Sequence, residues 1–247
     1  MEFYTGIHVV TLARFVERAF ISVNVLRSKN RQSFFNVGRW ILDSGAFSEI
    51  KDYGDFRYSV EEYAEWINKF AKCGNLEMAV SQDYMCEPMM LQKTGLTVAD
   101  HQRMTIERYD KLLTLTDVPI LPVLQGYQPS EYVEHIRMYG DRLKQGMRVG
   151  VGSVCKRNGN PMAIVAVLEA IHNERPDFKL HGFGLKTKAL ENAYIVSMLY
   201  SADSMSWSFA ARYQGRDSNS GIEAANFTDG INKNKGKRGH QLVLLGD

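Results

Sequence analysis

Cysteine is scarce in this chain. The 247 residues hold only Cys73, Cys86 and Cys155, with no CxxC pair and no histidine at zinc-finger spacing, so neither a disulfide scaffold nor a structural zinc site is expected. Long apolar runs are absent too. No stretch reaches the roughly 18 residues a membrane span needs, and the opening segment MEFYTGIHVVTLARFVERAF is broken by charges, unlike a signal peptide. These absences predict a soluble, cytoplasmic protein with no membrane partner. Charge of one sign is also lacking: 30 Lys and Arg face 28 Asp and Glu, a net of +2, which excludes a generally basic protein that coats nucleic acid. There is no internal repeat or low-complexity linker, and no G-x-G-x-x-G opens a helix after the first apolar run, which weighs against a dinucleotide-binding sheet.

What is present is a recurring unit: a short apolar run, a polar turn, then a helical stretch. The runs fall at 9–12, 20–25, 40–42, 78–80, 120–124, 149–151, 180–183 and around 202–205. Between them, Ser59-Val60-Glu61-Glu62 has the capping-box pattern and precedes apolar residues at helical spacing. Asn160-Pro161 suits the cap and first position of a helix through residue 174. Residues 97–115, 130–143 and 187–200 also read as helices. Strands alternating with helices imply βαβ units and a parallel sheet. A (β/α)8 TIM-like barrel is predicted as a single catalytic domain over residues 1–231, with 232–247 as a basic tail. A doubly wound open sheet is the alternative.

The runs end alike. Residues 40–42 lead into Asp43-Ser44-Gly45-Ala46-Phe47, 78–80 into Ser81-Gln82-Asp83, 120–124 into Gln125-Gly126, and 149–151 into Gly152-Ser153. Leu180 precedes His181-Gly182-Phe183-Gly184, and Tyr200 precedes Ser201-Ala202-Asp203-Ser204. Strand-end Asp, Ser and Gly commonly make turns. In a barrel, however, all these positions share the C-terminal rim where catalytic loops collect. Two carboxylates near one sugar carbon support double displacement. A third, with a carboxamide, can read the donor and acceptor edge of a purine. The set points to a purine or nucleoside enzyme.

The Asp43-Ser44-Gly45-Ala46-Phe47 segment resembles the D-S-G-G-F-Q segment of tRNA-guanine transglycosylases. Gln125-Gly126 resembles their Q-G-G segment, Val149-Gly150-Val151-Gly152 their glycine-rich base-binding turn, and Ser201-Ala202-Asp203-Ser204 their D-M-F-D segment, all in the same order. No Cys follows Cys155, whereas the tRNA enzymes carry a C-terminal zinc segment and are much longer. Both departures look like the 7-deazaguanine DNA transglycosylases of bacteria and phages. The resemblance implies a barrel without the zinc segment that exchanges guanine in DNA for a 7-deazaguanine such as the 7-cyano base. It implies Asp203 as nucleophile and Asp43 as general acid and base. Asp83, Gln125, Gly126, Gly152 and Ser44 would contact the base, with Phe47 and Tyr84 as candidate walls beside Met85 and Tyr127. DNA, single-stranded or locally opened, and a free 7-deazaguanine would be the partners, and no metal or other cofactor is required. The alternatives are the same exchange on tRNA, a barrel hydrolase acting on a nucleoside or glycoside, and a catalytically silent nucleic-acid-binding subunit.

Between residues 140 and 190, nine basic residues stand against four acidic ones. Lys156-Arg157 follows the Gly152-Ser153 turn and suits a phosphate contact. Lys233, Lys235, Lys237 and Arg238 read as a flexible basic arm for nucleic acid. His181 either faces the site or is satisfied by a backbone neighbour. Cys86 and Cys155 are assigned to packing, and Trp207 and Phe209 to either the barrel floor or a base stack.

Overall fold

The computed structural model describes residues 1–27, 34–157 and 159–237, except for the Lys156 side chain. Nine parallel strands form one sheet: β1 (Glu2–Ile7), β2 (Arg18–Ser22), β3 (Arg39–Asp43), β4 (Asn75–Val80), β5 (Ile120–Leu121), β6 (Val123–Leu124), β7 (Arg148–Val151), β8 (Lys179–Gly182) and β9 (Ser201–Ser204). Their lateral order is β5-β4-β3-β2-β1-β9-β8-β7-β6. The two ends of that order are halves of one segment. Ile120 and Leu121 pair with Ala79 and Val80 on β4, while Val123 and Leu124 pair with Gly150 and Val151 on β7. Pro122 lies between them, with no N–H to give a ladder, and its carbonyl accepts from the Gly150 amide at 2.8 Å. The segment therefore hands over from one neighbour to the other, and the sheet returns upon itself as the predicted TIM-like barrel.

The helices are α1 (Val23–Arg27), α2 (Ala46–Tyr53), α3 (Val60–Phe70), α4 (Pro88–Thr94), α5 (Val98–Leu113), α6 (Pro129–Tyr139), α7 (Pro161–Glu174), α8 (Thr187–Leu190), α9 (Ala193–Met198), α10 (Ser206–Tyr213) and α11 (Gly221–Asn234). Local chemistry starts several of them. Ser59 and Glu62 make the expected reciprocal capping box, and Asn160 caps α7 with Pro161 at its first position. Thr97 and Asp100 make a second box on α5. The 187–200 stretch divides because Asn192 turns to cap α9, accepting from the Tyr194 and Ile195 amides. The last described helix runs through residue 231 and ends at Asn234.

Two of the predicted runs are displaced. Residues 9–12 enter a 3-10 turn (Val10–Phe15) instead of a strand, burying Val10, Leu12 and Ala13. The first strand is EFYTGI, whose polar members gave no apolar run. Residues 20–25 split, with the strand ending at Ser22 and Val23 opening a helix.

Apolar packing is in two parts. The larger cluster fills the space between sheet and helices. A small one, of Tyr4, Ile41, Val80, Leu121 and Val123 with Phe20, Met78 and Phe183, fills the barrel interior. Below it lies a charged floor. Arg39 pairs with Glu77 at 2.5 Å and with Glu2 at 3.2 Å, and Arg18 reaches Glu2 at 3.6 Å. Above it, strand periodicity places Asp43 two residues past Ile41 and Asp203 two past Ser201. The interior is thus polar at both ends and apolar between.

Candidate active site

The C-terminal rim holds a cavity of about 230 Å³. This is smaller than the roughly 300–1,000 Å³ of sites for drug-sized ligands and suits a single heterocycle. Its lining includes Asp43, Asp83, Asp203, Gln125 and Gly152, with Phe20, Phe47, Val80, Met85 and Phe183 as apolar wall. Six predicted site residues, Asp43, Asp83, Asp203, Gln125, Gly152 and Phe47, therefore meet around one space. A second cavity of about 460 Å³ shares Phe20, Asp43 and Asp203 with it and extends along His8, Ser22, Asn24, Ser48 and Met205. Asp43 and Asp203 stand where the two cavities adjoin.

Asp43 ends β3. Gly45 follows with φ +75°, and a Cβ there would lie 2.3 Å from Asn24 Nδ2, so the turn requires glycine. That turn aims the Gly45 amide back at Asp43 Oδ2, 3.1 Å away. Burial, and then the charge of Asp203, raise the Asp43 carboxyl to about 6, although Ser22, Gly45 and Ser44 donate to it. Asp83 lies beyond β4 and is 7% exposed. Burial and then the Asp43 charge push it up to about 7.

Gln125 is fixed by its neighbours. Its amide donates to His135 Nδ1 at 2.8 Å, and its carbonyl accepts from Gln102 Nε2 at 2.7 Å. Burial holds His135 down to about 3, so the ring is neutral and can accept. The Ser153 hydroxyl lies 2.8 Å from Gln125 Oε1, which turns the amino group toward Asp83, and Gln125 Nε2 donates to Asp83 Oδ2. Ser153 adopts φ +56°, unusual for a side-chain-bearing residue. A Cβ on Gly152 would lie 2.2 Å from Gln125 Nε2, so glycine leaves that amide its place. Asp203 Oδ1 accepts from the Gly184 amide at 3.0 Å, and His181 Nε2 lies 3.4 Å from the same oxygen.

Other expected positions lie elsewhere. The Tyr84 ring packs on Phe56 and His101 and its hydroxyl donates to Asp55 at 2.5 Å, away from the cavity lining. Ser44 is buried, with its carbonyl accepting from the Tyr58 hydroxyl. Gly126 packs against Glu131 and Tyr132. Trp207 is buried and donates to the Gly6 carbonyl at 2.8 Å, whereas Phe209 is 63% exposed. Met85 does line the cavity, and so does Cys155, which sequence reasoning assigned to packing. Phe20, Val80 and Ser153 also line it, although none was expected at the site. Ser153 and Phe183 belong to the polar strand-end segments, whereas Phe20 carries no signal beyond its place in an apolar run.

The described basic candidates, Arg157, Lys233, Lys235 and Lys237, do not converge. Arg157 donates to the Tyr127 carbonyl and lies 4.7 Å from that ring's centroid, beside the rim. The Lys156 side chain and Arg238 lie outside the described residues. Lys235 donates to the Met1 carbonyl at 2.9 Å, which puts it at the N-terminal face, opposite the carboxylates. Lys233 and Lys237 flank it and are exposed. Of the basic excess between 140 and 190, Arg142 pairs with Asp110 and Arg175 with Asp177.

A TIM-like barrel with three carboxylates and a fixed carboxamide around a rim slot belongs to the class of α/β barrels whose site can bind the polar edge of a heterocycle. No group of three or more His, Cys, Asp or Glu suited to a metal occurs among the described residues, and no described helix is long and apolar enough to cross a membrane. The family model for DeoxyPurine in DNA protein A, DpdA, matches residues 1–226, and the chain belongs to that family. No curated protein matches the chain. Membership gives it a role in 7-deazaguanine modification of DNA, with DNA as substrate.

Proposed function

We propose that the chain exchanges guanine in DNA for a 7-deazaguanine base, such as the 7-cyano base, by double displacement. The observation that carries this is the meeting of Asp43, Asp83 and Asp203 in one small cavity, each in a different environment. The flipped base occupies the apolar slot, where Asp83 as an anion accepts from N1–H and the 2-amino group, and Gln125 donates to the carbonyl. The sugar lies between the two cavities, against Asp43 and Asp203. An Asp203 oxygen bonds to C1′ as the C1′–N9 bond breaks; the pair leaves on guanine, which takes a proton from Asp43. The incoming 7-deazaguanine gives its N9 proton back to Asp43, and N9 attacks C1′ and releases the Asp203 carboxylate. Two inversions give net retention. A carboxyl titrating near 6 suits the acid and base turns at neutral pH. The chemistry calls for no metal or redox cofactor; the 7-deazaguanine is a co-substrate.

The test is retention of radiolabelled guanine in polymer, using single-stranded DNA, duplex DNA and bulk tRNA in parallel. Label in DNA that vanishes with Asp203→Ala, together with loss of covalent capture, is the expected result. Label only in tRNA overturns the substrate and keeps the chemistry. Release of base without incorporation makes the chain a hydrolase.

A further inference from the structure

His181 is fully buried on β8, inside the barrel, with its ring stacked on Phe20 at a centroid distance of 5.6 Å. Its two nitrogens face different partners. Nδ1 lies 2.9 Å from Ser201 Oγ, and Nε2 lies 3.4 Å from Asp203 Oδ1. Which nitrogen carries the proton is decided by Arg148, acting through Ser201. Arg148 donates to Ser201 Oγ through Nε at 3.1 Å and Nη2 at 2.7 Å. A guanidinium only donates, so both lone pairs of that hydroxyl are taken. The Ser201 hydrogen is left to point at His181 Nδ1, which must therefore be the accepting nitrogen. Burial outweighs the Asp203 hydrogen bond and charge, which pull the other way, and keeps the imidazole below its ordinary range; with Nδ1 accepting, the proton of the ring sits on Nε2, facing Asp203. Arg148 is itself tied to the floor of the barrel: Nη1 donates to the Tyr4 hydroxyl at 3.3 Å, and Tyr4 donates to Glu77.

We infer that the Arg148–Ser201–His181 chain is a positioning device for the nucleophile, fixing His181 as the Nε2–H tautomer so that it and the Gly184 amide both hold Asp203 Oδ1 and leave Oδ2 to attack. The Gly184 amide donates to Oδ1, His181 Nε2, buried and without a hydrogen-bond partner, faces the same oxygen at 3.4 Å, and among the described residues no donor reaches Oδ2. The oxygen that bonds to C1′ is thereby chosen by the fold. The 3.4 Å separation is that of a resting site, and such contacts tighten when substrate is seated. His181 moves no proton in this scheme. It orients the carboxylate that forms the ester and steadies it when the ester breaks and the charge returns. The inference rests on Asp203 being the nucleophile.

The test has two arms. The first is a long-range proton–nitrogen correlation spectrum of the full chain labelled at histidine, with His181 assigned by the signal lost in His181→Gln. A neutral Nε2–H ring is expected; an Nδ1–H ring or an imidazolium overturns the proposal. The second is single-turnover covalent capture of DNA. His181→Leu removes the donor at similar size and should slow capture about ten- to a hundredfold, the effect of one hydrogen bond to a charged group. The DNA concentration at half-maximal rate should stay unchanged. His181→Gln places an amide nitrogen where Nε2 was and should recover most of the rate. Unchanged capture in His181→Leu, or equal losses in the Leu and Gln variants, overturns the positioning role. Capture that persists in Asp203→Ala overturns the nucleophile assignment instead, and the tautomer spectrum tells that failure apart from this one.

Discussion

Asp83→Asn should make the protein more stable while it weakens selection of guanine. The Asp83 carboxyl titrates at about 7 in the folded chain against 3.8 ordinarily. Its pKa is raised on folding, so between pH 4 and 7 the folded state keeps a proton that the unfolded state has lost, and stability falls as pH rises through that window. At about 1.4 kcal/mol per unit, the full penalty above pH 7 is on the order of 4 kcal/mol. Exposure is only 7%, so water screens little of it. Asp43, raised to about 6, carries a similar penalty of about 3 kcal/mol. The two are not additive, because the Asp43 charge is itself one cause of the Asp83 shift. An asparagine retains an oxygen to accept from Gln125 Nε2 and cannot ionise. The variant should therefore gain roughly 2–4 kcal/mol at pH 8 and almost nothing at pH 4, or about 5–10 °C in Tm at the higher pH for a chain of this size. Urea titrations of both proteins at pH 4, 6 and 8 measure this directly. An Asn variant no more stable than the parent at pH 8, or one that gains equally at pH 4, would refute the buried-carboxylate account.

Two further outcomes follow from the same geometry. Guanine affinity should rise with pH and level off above about 8, since only the Asp83 anion accepts from both N1–H and the 2-amino group; a flat profile in calorimetric titrations from pH 5.5 to 8.5 would separate Asp83 from base recognition. Arg157→Gln should lower the salt slope of DNA binding by about one unit, whereas Lys235→Gln should leave it unchanged, because that ammonium is engaged at the opposite face; equal effects would mean that DNA reaches both ends of the barrel.

Much of the architecture was legible because local chemistry and global fold agree. The Ser59 box, the Asn160-Pro161 start and the glycine at 45 are each dictated within a few residues, and each lies where expected. The Asp43, Asp83, Gln125, Gly152 and Asp203 convergence was legible because strand ends share a rim in any barrel. The first strand was not, since its inward residues Glu2 and Tyr4 belong to a polar network that defeats a search for apolar runs. Tyr84 was placed beside the base by sequence adjacency to Asp83, but one residue further along the loop already faces the helix side, toward Phe56 and His101. His181 could not be assigned from spacing, because its role depends on Arg148 and Ser201, which are 33 and 20 residues away along the chain and adjacent only across the barrel.

The handover at Pro122 has a consequence for motion. Most of the ring is held by ladders of three to five residue pairs, but at this clasp two residues grip one neighbour and two grip the other, as few as join β8 to β9. The residue immediately beyond the clasp is Gln125, whose amide points at Asp83. Loosening the ring there and displacing the Gln125 carboxamide are one movement, so a purine seated across Asp83 and Gln125, as proposed, would act as a rivet across the seam. Backbone amides of Leu124 and Gly150 would exchange with solvent more slowly when the slot is filled, and the barrel would register its cargo as a change in its own closure.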